Sequence, residues 1–259
     1  MDQSSENLYF DNIYKFISIH SLKLVIENKT LRFTRGDYFN DPFESNPYLT
    51  PLDWNELYKN TKNKDIIKFI ANQAFVKLQS KNYSSCFSKS YLKDNNKLMW
   101  AHYGDSHKGC CFEIKKDVII DISHKFKLAP FIIKYVDNLA EKRDSLINDF
   151  SDNRILFLST YKERIWEYED EVRLLFHKEF CIKKDIKFVN NDANADIEFK
   201  TEYISKVIFG LKSDKNDIMN IINLFIEKKH IPEFYKIDIN PFTLNLFEVN
   251  LNIKDYLNK

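Results

Sequence analysis

Glycine is scarce in this 259-residue chain, at 4 residues, and proline is little commoner at 6. No GxGxxG and no GxxxxGK[ST] stretch occurs. The glycine-built phosphate cradles of dinucleotide-binding and P-loop proteins are therefore excluded. The 4 cysteines, Cys86, Cys110, Cys111 and Cys181, never fall in CxxC spacing, which argues against a thiolate zinc site and for free thiols. No apolar run approaches the ~20 residues that span a bilayer. The N-terminus shows no basic region followed by an apolar core, so neither a signal peptide nor a membrane partner is expected, and the expected location is the cytoplasm. Charge is nearly balanced, 39 basic against 38 acidic residues, which gives no global attraction to nucleic acid.

Apolar and aromatic residues are abundant, with 22 Phe and 14 Tyr. That supply supports a substantial core. Strand signals at Ile13–Ile17, Leu31–Phe33, Tyr83–Phe87, Gly109–Ile114, Val118–Ile120, Phe131–Val136, Glu171–Phe176, Tyr203–Phe209, Phe234–Ile239 and Leu244–Val249 mix irregularly with helical ones. The helical signals are Leu22–Glu27 with Ser21 as cap, Asp65–Lys81, Leu98–Tyr103, Asn138–Tyr161 with a break near Asp152, and Ser213–Lys229 with Ser213 as cap. Arg35–Pro51 reads as a loop. This order predicts an α+β chain, and the absence of a linker or repeat predicts a single domain over residues 1–259.

Three segments have the character of site rather than framework. Phe39–Glu44 is a turn in which Pro42 fixes the backbone, and its polar side chains either satisfy that turn or present Asn40, Asp41 and Glu44 to a ligand, with Phe43 as an anchor. Trp100–Ile114 crowds aromatics, His102, His107 and two glycines onto one turn-to-strand junction. His102 and His107 are five apart, not the spacing of two metal ligands on one helical face. His107 reads as either a general base or a surface cap. Trp100 reads as core or as a stacking platform. Trp166–Arg173 gathers Glu167, Glu169, Asp170 and Glu171, so that Glu169 and Glu171 form either a pair with one raised pKa or a solvated acidic turn, with Arg173 able to hold one of them bidentately.

Tyr14-Lys15-Phe16, Asn40 to Glu44, Cys86-Phe87-Ser88, Met99 to Phe112 and Trp166 to Arg173, in this order, resemble a bacterial family known as domain of unknown function 2971, over roughly residues 13–210. The opening IYKFISIHSLKLVIENKTLRF and the later pair DEVRLLF and EYISKVIFG are also similar to ADP-ribosyltransferase folds. That second resemblance implies a split, mostly antiparallel sheet with flanking helices, and NAD as substrate. It places Glu171 at the catalytic glutamate and Tyr14 near the nicotinamide end. Trp100, Tyr103 or Phe43 would stack on a flat ring. The expectation is an NAD-dependent ADP-ribosyltransferase-like enzyme, a toxin or phage-defence effector, with a nucleic-acid or protein acceptor. Two alternatives stay open: a metal-dependent nuclease with Glu169, Glu171, Asp41 and His107 around a divalent ion, and a non-catalytic module binding a nucleotide or nucleic acid.

Overall fold

The structure, a computed structural model, describes residues 10–39, 46–50, 52–93, 96–147, 152–181 and 185–257. β1 (Asn12–Ile17), α1 (Ile19–Asn28) and β2 (Thr30–Arg35) open the chain. α2 (Trp54–Thr61) and α3 (Lys64–Gln79) lead to β3 (Asn82–Ser88), α4 (Asn96–His102), β4 (Cys110–Lys115) and α5 (Lys116–Phe126). Next come β5 (Ala129–Ile132), β6 (Lys134–Val136), α6 (Leu139–Ser145), α7 (Asp152–Thr160), β7 (Tyr161–Glu163), a 3-10 turn over Arg164–Glu169 and β8 (Glu171–His177). The remainder is β9 (Ile186–Val189), β10 (Asn194–Glu198), β11 (Lys206–Phe209), α8 (Lys215–Glu227), β12 (Glu233–Ile239), β13 (Leu246–Asn250) and α9 (Lys254–Leu257).

The architecture is mixed α+β around a large, mostly antiparallel sheet, in which β11 and β12 run parallel. One sheet face packs on α1, α5 and α8 through Leu22, Ile26, Ile119, Ile122, Phe126, Ile218, Ile222 and Phe225. The other carries a smaller core around Trp100, Phe16, Met99 and Ile208. The adjacent cysteines of β4 follow strand alternation: Cys110 joins the first core and Cys111 the second.

The sheet forks at β3. One edge of β3 is taken along its whole length by β8. The other edge is shared: β2 pairs at Tyr83 and Ser84, while β1 pairs at Ser88. Between them the Cys86 carbonyl faces the fork without a strand partner, and the Lys15 ammonium donates to it at 2.9 Å. α1 is the connection between the two diverging strands.

Several expectations are corrected. Val118–Ile120 is helical, because Ile119, Ile122 and Phe126 recur on one buried face and that period outweighs β-branched propensity. α1 is capped by Ser18, which accepts from the Ser21 N–H, so Ser21 lies inside the helix. α8 is capped by Asp214; Ser213 instead donates to the Lys108 and Gly109 carbonyls. Tyr203–Phe209 divides into a 3-10 turn (Thr201–Tyr203) and β11, and Arg35–Pro51 contains short 3-10 turns at Gly36–Tyr38 and Pro47–Leu49.

Candidate functional site

The second sheet face carries a polar row. Glu113 on β4 is in register with Tyr14 on β1, Tyr14 with Ser88 on β3, and Ser88 with Glu171 on β8. Neighbouring strands lie ~4.8 Å apart, so Tyr14 and Glu171 are about 10 Å apart on one face. Glu113, nearly buried, accepts from Tyr14 Oη (2.8 Å), Asn12 Nδ2 (3.2 Å) and Ser205 Oγ (2.7 Å). Burial, reinforced by that carboxylate, raises the Tyr14 phenol. The Tyr14 ring packs on Tyr91 with centroids 4.7 Å apart.

At the β8 end of the row lies a buried ionic cluster. Arg173, 1% exposed, grips Glu171, 3% exposed, bidentately at 2.6 and 3.0 Å. Lys162 on β7 bridges the two carboxylates, at 2.5 Å from Glu169 and 3.4 Å from Glu171. Glu169 also accepts from Tyr103 Oη at 2.6 Å, and the Glu171 N–H donates to Tyr135 Oη at 2.9 Å. The Arg173 guanidinium stacks over Phe39 at 5.2 Å and donates to the Ser159 carbonyl. Two buried carboxylates this close repel unless cations separate them. The two carboxyls move in opposite directions. Burial raises both, but at Glu171 the charges of Arg173 and Lys162 win and bring it to about 2. At Glu169 burial prevails over the single Lys162 and the carboxyl is raised.

Cys86 lies beside Glu171 and reaches solvent. Although its side chain reaches solvent, the protein packed around it and the Glu171 charge push its thiol up against Arg173 and Lys15; an activated thiol nucleophile needs the reverse. A polar cleft of about 370 Å³ opens at the end of the row, lined by Phe10, Asp11, Asn12, Tyr14, Lys89, Lys93 and Asp170. Asp170 adopts a left-handed conformation at φ 43°. It binds both Lys89, at 2.7 Å, and Lys93, and these cations lower its carboxyl against the opposing effect of burial. With Asp11 also in the lining, the two lysines are balanced by two carboxylates, and both lysines are paired with Asp170.

Residues 99–174 match a family described as protein of unknown function (DUF2971). That stretch is narrower than the resemblance read from the sequence, and it contains Tyr103, Lys162, Glu169, Glu171 and Arg173. The ionic cluster is thus built wholly within the DUF2971 segment except for Phe39, whereas Tyr14 and Cys86 come from outside it. No curated protein matches the chain, and no solved structure matches it.

The other predicted residues distribute as follows. Tyr103 touches the cluster. Trp100, also in the DUF2971 segment, is fully buried, packs edge-on against Phe16 at 5.0 Å and donates to the Tyr91 carbonyl. It is core and not a stacking platform, because Met99 and Phe16 enclose its ring. His107 sits in a turn where Asp105, Ser106 and His107 all have positive φ. Burial, then Lys212, lowers its pKa, and among the described residues no hydrogen bond or ion pair joins it to Glu169 or Glu171. His107 is therefore not joined to the carboxylate cluster. His102 Nδ1 instead meets Tyr168 Oη at 3.0 Å. Asn40, Asp41, Phe43 and Glu44 lie outside the described residues. Among the described residues, no group of three or more His, Cys, Asp and Glu is placed to hold a metal ion. No described helix is long and apolar enough to cross a membrane.

Sequence reasoning missed Lys162, Tyr135, Glu113, Lys89 and Lys93. Lys162 is one of two cations just before the acidic turn, Arg164 being the other, and nothing local marks which of them turns inward.

Proposed function

We propose that the chain is an NAD-using, ADP-ribosyltransferase-like enzyme, with a nucleic acid or protein as acceptor. The supporting observation is the row at the fork of the sheet, in which Tyr14 and Glu171 lie two strands apart on one face. The cleft beside Tyr14 is of a size that takes small ligands, which is ~300–1,000 Å³. Lys89 and Lys93 would have to exchange Asp170 for a diphosphate, while the Tyr14 ring would take a flat base. When nicotinamide leaves, the C–N bond electrons go with it and the ribose becomes positively charged at carbon. Glu171, held ionised and rigid by Arg173 and Lys162, would be a preorganised negative charge for that moment. The acceptor nucleophile then closes the new bond to the same carbon and releases its proton.

The test is nicotinamide release from NAD by purified protein, with and without RNA, DNA or lysate, beside Glu171→Gln. Release that falls by roughly 10²–10³-fold in a folded Glu171→Gln variant is expected. An unchanged rate would remove Glu171 from the mechanism.

The near-complete burial of Glu171 and its saturation by Arg173 and Lys162 favour a second reading, a non-catalytic nucleotide- or nucleic-acid-binding module that uses the Tyr14–Lys89–Lys93 cleft. Ligand-dependent thermal stabilisation without turnover would select it. The metal-nuclease alternative is not carried forward, because the Lys162 ammonium already fills the position between Glu169 and Glu171 that a divalent ion would need.

A further inference from the structure

Three strands end the forked sheet, β9, β5 and β13, and they differ. β5 carries Pro130, which lacks the N–H that strand addition needs. β9 is short, carries exposed Lys187 and ends in a left-handed turn at Asn190, Asn191 and Asp192, features that discourage strand addition. β13 is one residue longer than β9 and also follows a left-handed residue, Leu244 at φ 56°, but it presents no outward charge of its own. Its one charged residue, Glu248, points to the other face and is engaged by Tyr91 Oη at 2.5 Å, with Lys206 4.0 Å away. Phe247 and Val249 are 41% and 40% exposed, and the preceding turn holds Phe242 at 93% and Leu244 at 58%.

The direction of the free backbone groups follows from register. β12 and β13 pair Lys236 with Val249 and Asp238 with Phe247. The Leu251 N–H donates to the Phe234 carbonyl at 2.9 Å, and the Asn240 N–H to the Asn245 carbonyl at 2.9 Å, both in continuation of that register. Hydrogen-bonded and non-hydrogen-bonded pairs alternate in an antiparallel ladder. Phe247 and Val249 therefore spend their backbone groups on β12. The N–H and C=O of Leu246, Glu248 and Asn250 face outward, evenly spaced about Glu248.

We propose that β13 is a homodimerisation edge: two copies pair β13 with β13 antiparallel about a two-fold axis at Glu248, which joins their sheets into one. In that register Leu246 meets Asn250, Glu248 meets its own counterpart, and each pair exchanges two backbone hydrogen bonds. Phe247 meets Val249 twice, once on each side of the axis. An isologous contact requires this self-complementarity; a foreign strand does not. The like charges at the axis are offset, because each Glu248 is already held by Tyr91 and Lys206 of its own chain. The Phe242–Leu244 turn overhangs the end of the second copy's strand. The exposed parts of the four apolar side chains amount to on the order of 400 Å² per copy, from ~150–250 Å² per aromatic. With the edge backbone added, the total comes to roughly 1,000 Å², the size of a weak, reversible association.

Sedimentation equilibrium of the full chain tests it, and no NAD chemistry enters the readout. The wild type is expected to dimerise, and Phe247→Lys with Val249→Lys to weaken the dimer at least about 10-fold while leaving the circular dichroism unchanged. A register check uses Glu248→Cys in a Cys86→Ser background. The paired Cα atoms would lie ~5.5 Å apart, within disulfide reach. Oxidation should then give a covalent dimer faster than Thr243→Cys does in the same background. A monomer at every concentration, a dimer indifferent to the double substitution, open-ended oligomers, or cross-linking no faster at 248 than at 243 would each overturn the proposal.

Discussion

Lys162 is the residue whose loss the cluster tolerates least. It separates two nearly buried carboxylates, and its own side chain is only 7% exposed. Lys162→Met should cost about 3–5 kcal/mol, the usual result of leaving a buried charge uncompensated. Urea denaturation measures it, and adding Glu169→Gln should return much of the loss, because the two changes act on one contact. The same cluster sets an acid dependence with two signs. Glu171 is depressed from 4.5 to about 2, so the stability it contributes is complete above the upper value and is lost as pH falls between the two. Glu169 is raised, so its ionised form costs stability at neutral pH, and protonation relieves that cost on mild acidification. Urea midpoints across the acid range should show a shallower low-pH loss in Glu171→Gln and no mild-acid gain in Glu169→Gln. The residues of this cluster were only half legible in the chain. The Glu169, Glu171 and Arg173 grouping is visible because strand alternation and crowded acids announce it. Lys162 is not, since one lysine on a three-residue strand leaves no periodic trace.

At the scale of elements, the turn between α4 and β4 is fixed by backbone contact more than by side chains. A Cβ on Gly109 would lie 2.4 Å from the Ile17 carbonyl oxygen and 2.9 Å from that of Gly104, and one on Gly210 would lie 2.3 Å from the His107 carbonyl oxygen. No flexible side chain can yield there. Gly109→Ala should therefore destabilise by about 2 kcal/mol or more, visible as a lowered melting temperature. The sequence marks this turn through Gly104 and Gly109, and marks β4 through its apolar run. It misleads at α5, where Val118-Ile119-Ile120 looks extended residue by residue and only the longer period reaching Phe126 reveals a helix. The caps Ser18 and Asp214 were missed by one to three residues because each has a second plausible polar residue beside it, Ser21 and Ser213.

At the scale of the molecule, the α+β class was legible because short strands and amphipathic helices alternate without order. The polar row was legible only by resemblance for Tyr14 and Glu171, and not at all for Glu113 and Ser88. Register between strands is decided by partners far apart in sequence, and no local pattern encodes it. That same remoteness governs how the chain reaches its native state. β2 closes on β10 through pairs such as Thr34 with Asn194, 160 residues apart. At a synthesis rate of ~5–20 residues per second, β2 waits roughly 10–30 s on the ribosome before its partner exists. During that interval β3 can pair only with the far end of β2, and Leu31 and Phe33, fully buried at the end, lie on a strand whose other edge is open. A nascent chain with so late a closure depends on being kept from its neighbours while it grows, and slow translation through β10 would lengthen the time it is exposed.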